Sequence, residues 1–138
     1  MKRILVIDDD EIVNDMLVQF LTEAGYEAEG VRDGVQGVQA AETKLFDLIV
    51  SDIVMPEKEG LETIIEIRGK KKNLPVIVIS GGGKVTADEY LNLAKVFGAD
   101  YTFKKPIELD QFLEAVRHCL SDTYQVDLSK KRPHDLSH

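Results

Sequence analysis

The stretch ILVIDDDE (residues 4–11) runs from apolar side chains straight into four acidic ones. Neighbouring carboxylates repel one another, so a chain that only had to fold would have little use for them at the end of a hydrophobic strand. Other short apolar runs also end in chemically capable groups. DLIVS (47–51) is followed by Asp52. PVIVI (75–79) is followed by Ser80 and then Gly81, Gly82 and Gly83. A weaker strand candidate, Asp100–Phe103, leads into Lys104, Lys105 and Pro106. Several carboxylates in a small space favour a hard divalent cation, and Mg²⁺ commonly takes one or two carboxylates together with water and phosphate oxygens. A lysine supplies a point charge for a phosphate oxygen. A serine hydroxyl and the free amides of a glycine loop donate to the other oxygens. The set suits a phosphoryl group held beside Mg²⁺, with one carboxylate as the nucleophile that forms an aspartyl phosphate.

These groups meet only if the chain folds so that the strand ends share one rim. Ile4–Ile7, Asp47–Ser51 and Pro75–Ile79 are continuously apolar and β-branched, the pattern of parallel strands covered on both faces. Tyr26–Val31 and Asp100–Phe103 are weaker strand candidates. Helical spacing links Ile12, Val13, Met16, Leu17, Phe20 and Leu21, with Gly25 as the stop. Asp33 can cap a second, small-residue helix through Val35, Val38 and Ala41. Leu61, Ile64, Ile65 and Arg68 mark a third helix, Tyr90, Leu91, Ala94 and Phe97 a fourth, and Leu109, Phe112, Leu113, Val116 and Leu120 a fifth. Strand and helix thus alternate through five strands and five helices, which predicts an α/β fold with a doubly wound, five-stranded parallel sheet. Such sheets bind ligands beyond the carboxyl ends of their strands, where the acidic, hydroxyl and lysine groups stand.

Composition narrows the function. The 138 residues fit one domain of ordinary size, and 43% hydrophobic content can form a core. The net charge of −8 argues against nonspecific nucleic-acid or acidic-membrane binding and favours a cation or a basic partner surface. A single cysteine, Cys119, cannot form an internal disulfide and suits a reducing compartment. No apolar stretch approaches membrane-spanning length, and Met1-Lys2-Arg3 opens directly into a strand without a signal-peptide pattern. The expectation is a cytoplasmic protein. Residues 121–138 are polar and aperiodic, and read as a tail or the start of a linker after a domain over residues 1–120.

At residues 2–120 the chain resembles a response-regulator receiver domain of two-component signalling. The resemblance is carried by VIDDDE, DLIVSDIVMPEKEG, VIVISG and FKKPI, in that family's order and spacing. It implies a flavodoxin-like receiver fold and Mg²⁺ as cofactor. It implies that Asp52 is the phosphoacceptor and a metal ligand, with Asp9 a direct ligand, Asp8 supporting the metal and the Val54 backbone carbonyl completing the protein's share of the shell. By the same resemblance Ser80 and the Gly81 amide hold phosphate oxygens, Lys105 pairs with the phosphoryl group, and Pro106 follows a cis bond. Asp10 falls where the family often has a helix-starting acidic group. The implied partners are a sensor histidine kinase or histidine phosphotransfer protein and a downstream protein target or further output domain, with no direct nucleic acid and no membrane. The domain would catalyse its own phosphorylation and dephosphorylation rather than act as an enzyme on a metabolite. Its implied signalling face is the fourth helix, fifth strand and fifth helix. One departure is Thr102, where the family usually has Tyr or Phe.

Two rivals belong beside this reading. An aspartate-nucleophile phosphatase of the haloacid-dehalogenase type needs DxDx(T/V), whereas Asp8-Asp9-Asp10-Glu11-Ile12 lacks the final Thr or Val. A non-phosphorylated binding module on the same fold would show neither Mg²⁺ affinity nor an acyl phosphate. The run Gly81–Lys84 is not a nucleotide P-loop, because Val78 and Val85 occupy positions where that loop needs Gly and Ser or Thr. Cys119 is expected in the core, His118, His134 and His138 on the surface or tail, and Lys70-Lys71-Lys72 in a solvated loop.

Overall fold

Five short segments form five parallel strands: β1 (Arg3–Ile7), β2 (Glu27–Val31), β3 (Leu48–Asp52), β4 (Val76–Ser80) and β5 (Tyr101–Lys104). They lie in the order β2-β1-β3-β4-β5, so the expected doubly wound sheet is the fold. The structure is a computed structural model and describes residues 1–52, 59–80 and 98–126. Within them the connecting helices are α1 (Glu11–Glu23), α2 (Gly34–Thr43), α3 (Glu59–Lys70) and α4 (Leu109–Cys119), the last being the fifth helix expected from sequence. The helix expected around Tyr90–Phe97 lies outside the described residues, as do Val54, Gly81 and the chain from 127 onward.

The helix ends follow local chemistry. Asp10 caps α1, its carboxylate accepting from the Ile12 and Val13 amides at 3.0 and 3.3 Å. Asp33 caps α2 by accepting from Gln36 N–H at 2.8 Å. Gly25 follows α1 with φ of 101°, a left-handed turn that glycine enters without a Cβ clash.

Two cores flank the sheet. Leu5, Ile7, Ile49, Val76 and Val78 pack under Ala41 of α2 and Ile64 and Ile67 of α3. Ile4, Val6, Leu48, Val50, Ile77 and Ile79 pack under Leu17 and Leu21 of α1 and Phe112, Val116 and Cys119 of α4. Cys119 is a buried free thiol, as expected of a core residue, and burial, with the Asp100 charge second, pushes it up to about 12.

The helix faces differ in places from the sequence expectation. Ile12 and Val35 are 80% and 66% exposed. In α2 the buried positions are Gly34, Gly37 and Ala41, because the helix lies so close to the sheet that small residues fill the contact. Lys70 does not sit in a free loop. It ends α3 and pairs with Glu42 at 2.6 Å, while Lys71 Nζ donates to the Ala41 carbonyl at 2.6 Å. His118 is exposed as expected, but its ring meets Tyr101 and Tyr124 edge-on.

Candidate functional site

Sheet register gathers the polar groups. Side chains alternate between faces along a strand. Ile4 and Val6, Leu48 and Val50, and Tyr101 and Phe103 all face α1 and α4. Two residues further along those strands come Asp8, Asp52 and Lys105. Parallel pairing aligns the rows: Val6 with Val50, Asp52 with Ile79, and Ile79 with Phe103. A face that is hydrocarbon along its length therefore turns charged at its carboxyl rim. Asp52 and Ser80 are the last residues of β3 and β4, not the first residues of loops, because each still has a cross-strand partner, Ile79 and Lys104.

At that rim Lys105 bridges two buried carboxylates. Its Nζ lies 2.8 Å from Asp52 Oδ2 and 3.0 Å from Asp8 Oδ2. The Asp8 side chain is fully buried and that of Asp52 5% exposed. The Lys105–Pro106 bond is cis, as expected, and the Lys105 amide donates to the Ser80 carbonyl at 2.9 Å, tying its backbone to β4. Burial pulls the Lys105 ammonium down, but its close contacts with the Asp52 and Asp8 carboxylates and their charges outweigh it and hold the group above its ordinary value. Burial raises the Asp8 carboxyl, and the Asp52 charge adds to the rise. The Asp10 amide, donating at 2.9 Å, and Lys105 offset only part of it.

Asp9, exposed at the surface, completes the cluster: one carboxylate oxygen each from Asp8, Asp9 and Asp52 lie within 4.8 Å of one another. Asp8 Oδ2, though close to the ammonium, receives no aligned hydrogen bond. An all-carboxylate donor set with more negative charge than one ammonium can balance fits a hard divalent cation such as Mg²⁺. Ser80 Oγ is buried without a hydrogen-bond partner among the described residues, a state that costs about 1–3 kcal/mol and leaves the hydroxyl able to donate. Asp10 is the helix cap and not a member of the cluster. The sequence reading missed Asn14, a buried polar residue of α1. Its signal was available, since positions 14, 17 and 21 share one helical stripe.

Because Asp8 is buried and raised, its ionisation costs the fold. The contribution of Asp8 to cation-free stability is fully present below the ordinary carboxyl range and is lost as pH rises through the raised value. Above that raised value the cost is fully present. Asp8→Asn, which keeps the oxygen that accepts from the Asp10 amide, is expected to stabilise the cation-free domain by about 1 kcal/mol. Thermal melting in chelator at neutral pH checks this, and a lower Tm for the variant would contradict it.

A doubly wound 2-1-3-4-5 sheet with paired acids after β1, an aspartate ending β3 and a lysine before a cis proline after β5 defines a receiver. The chain belongs to the response regulator receiver domain family, whose match spans residues 4–117. It is 33% identical over 128 residues to the response regulator MprA of Mycobacterium tuberculosis, covering 93% of this chain and 54% of that protein. It is 36% identical over 121 residues to the chemotaxis protein CheY of Treponema pallidum, covering 86% of this chain and 82% of that protein. Among solved structures it is similar to the response regulator TrrA of Thermotoga maritima in complex with Mg²⁺-BeF, with TM-score 0.75, 32% identity and 87% and 100% of the two chains covered. TrrA in complex with the histidine kinase ThkA gives TM-score 0.72 at 32% identity, covering 88% and 100%. The chain spans about half the length of the first curated relatives it matches, 54% for MprA. Among the described residues, no helix is long and apolar enough to cross a membrane.

Proposed function

We propose that this receiver takes a phosphoryl group from a partner's phosphohistidine onto Asp52. The observation that carries the reading is the Lys105 ammonium held between Asp52 and Asp8, at 2.8 and 3.0 Å, beside the exposed Asp9. An Asp52 carboxylate oxygen attacks phosphorus, the P–N bond to the histidine breaks, and the nitrogen leaves with its electron pair. Lys105 turns from the carboxylates to the incoming phosphoryl oxygens and offsets their charge. Ser80 Oγ and the Gly81 amide donate to two of those oxygens. Asp8, Asp9, Asp52 and the Val54 carbonyl would hold Mg²⁺, which supplies the remaining positive charge when bound. Val54 and Gly81 enter from the family resemblance alone. The same residues would govern hydrolysis of the acyl phosphate, so the domain catalyses its own loading and unloading. TrrA, crystallised with a histidine kinase, supports a kinase or phosphotransfer protein as donor. Output to a protein target or a further domain would run through the face that includes β5 and α4. The free, buried Cys119 thiol accords with a cytoplasmic setting.

The test is linkage to Mg²⁺. A ligand that binds only the folded state stabilises it by about 2.7 kcal/mol at a hundred times its Kd. Wild type is expected to melt higher with Mg²⁺, and Asp9→Ala to lose most of that gain while keeping its cation-free Tm. A wild-type Tm indifferent to Mg²⁺ would rule out the cation site.

A further inference from the structure

Asn14 lies on the sheet-facing side of α1, 5% exposed, in line with Leu17 and Leu21. A buried amide on an apolar stripe costs stability unless its polar atoms are paired. Its Nδ2 donates twice, to the Asp8 carbonyl at 3.0 Å and to the Val31 carbonyl at 2.8 Å. The same Val31 carbonyl accepts the Asp8 N–H at 3.1 Å. Asp8 is thus held on both sides, its N–H by the end of β2 and its carbonyl by α1. That carbonyl belongs to the peptide joining Asp8 to Asp9, so the Asn14 bond sets the peptide plane between two members of the carboxylate cluster.

Gly30 makes room for this arrangement. It pairs with Val6 in the sheet. A Cβ there would stand 2.0 Å from Asn14 Oδ1 and 3.0 Å from both Asn14 Cγ and Val18 Cγ2. Any larger residue would force the Asn14 amide to shift from this seat.

We infer that Asn14, seated by Gly30, is a positioning residue for the cation site: it braces the Asp8–Asp9 peptide so that the carboxylates are gathered before a cation arrives. The inference rests on the cation reading above. Like charges at the rim push the loop apart, and the cation must then be bound from an open loop, which lowers affinity by the fraction of molecules still closed. An amide is the fitting group, since it offers two donors without charge. A carboxylate would offer none to the carbonyls and would add repulsion.

The experiment is calorimetric titration of Mg²⁺ into the full chain for wild type, Asn14→Leu and Gly30→Ala, with urea unfolding of each. Both variants are expected to bind Mg²⁺ about ten-fold more weakly or worse, the range found when groups behind metal ligands are removed. Labelling by acetyl phosphate should recover at saturating Mg²⁺, because the chemistry at Asp52 is untouched. A merely structural role would lower the unfolding midpoint and leave Kd alone, so a Kd unchanged from wild type in a cooperatively folded variant overturns the inference. If Asn14→Leu does not fold, Gly30→Ala, which displaces the amide by a single methyl group, decides between the two roles. A wild type that fails to bind Mg²⁺ is a different result: it removes the cation reading itself.

Discussion

Asp52→Asn is expected to abolish Mg²⁺-dependent labelling by acetyl phosphate. The nucleophile of the proposed reaction is an Asp52 carboxylate oxygen, and an amide oxygen in its place is neutral and forms no stable acyl phosphate. Removing a nucleophile costs on the order of 10⁴-fold or more in rate. The fold should survive. The side chain keeps its size, and Lys105 keeps its ion pair with Asp8 at 3.0 Å. Intact-mass measurement of the phosphorylated species reads the outcome directly. Mg²⁺-dependent labelling that persists in the variant, at whatever residue, would remove Asp52 from its assigned role.

The opposite pattern is expected at Arg68. This side chain is 3% exposed, under the amino-terminal ends of β4 and β5 and far along the strands from the carboxylate rim. It donates to the Gly98 carbonyl at 2.9 Å, the Leu74 carbonyl at 3.1 Å and Asp100 Oδ2 at 3.0 Å. That Asp100 oxygen also accepts the Val76 amide at 2.8 Å, and its other oxygen accepts from the Tyr124 hydroxyl. One guanidinium therefore joins α3, the turn into β4 and the start of β5, and carries the segment after α4 with them. Arg68→Leu would leave the Asp100 charge buried without its cation. Breaking a buried pair in this way costs about 3–5 kcal/mol, which for a domain of this size lowers Tm by about 10–20 °C. Urea unfolding measures the loss, and a change well under that range would mean that solvent reaches Asp100 after the substitution. In the cold, where the variant still folds, labelling at Asp52 should proceed as in wild type.

Much of the molecule follows from local pattern. Continuous β-branched runs mark strands that are covered on both faces, and β1, β3 and β4 form where those runs lie. Asp10 and Asp33 as caps and Gly25 as a stop depend on groups a few residues away, so short-range chemistry was enough to place them. Acids, a hydroxyl and a lysine at strand ends were legible for the same reason, and the alternation of strands with helices implies a shared rim.

What sequence left open depends on partners distant in the chain. Whether Asp52 ends a strand or begins a loop is settled by its pairing with Ile79. Which carboxylates touch Lys105 is settled by the register of β1, β3 and β5, which brings residues 8, 52 and 105 onto one face. Ile12 and Val35 fit an apolar stripe by spacing, yet they stand in solvent, because the angle at which each helix lies on the sheet decides which edge of its stripe is covered. Asn14 and Gly30 have meaning only as a pair: the amide is buried because β2 passes beneath it, and β2 can pass because residue 30 has no Cβ. Local sequence sets what each segment is able to form. Long-range packing sets which of its side chains meet, and at this site those meetings place the charges.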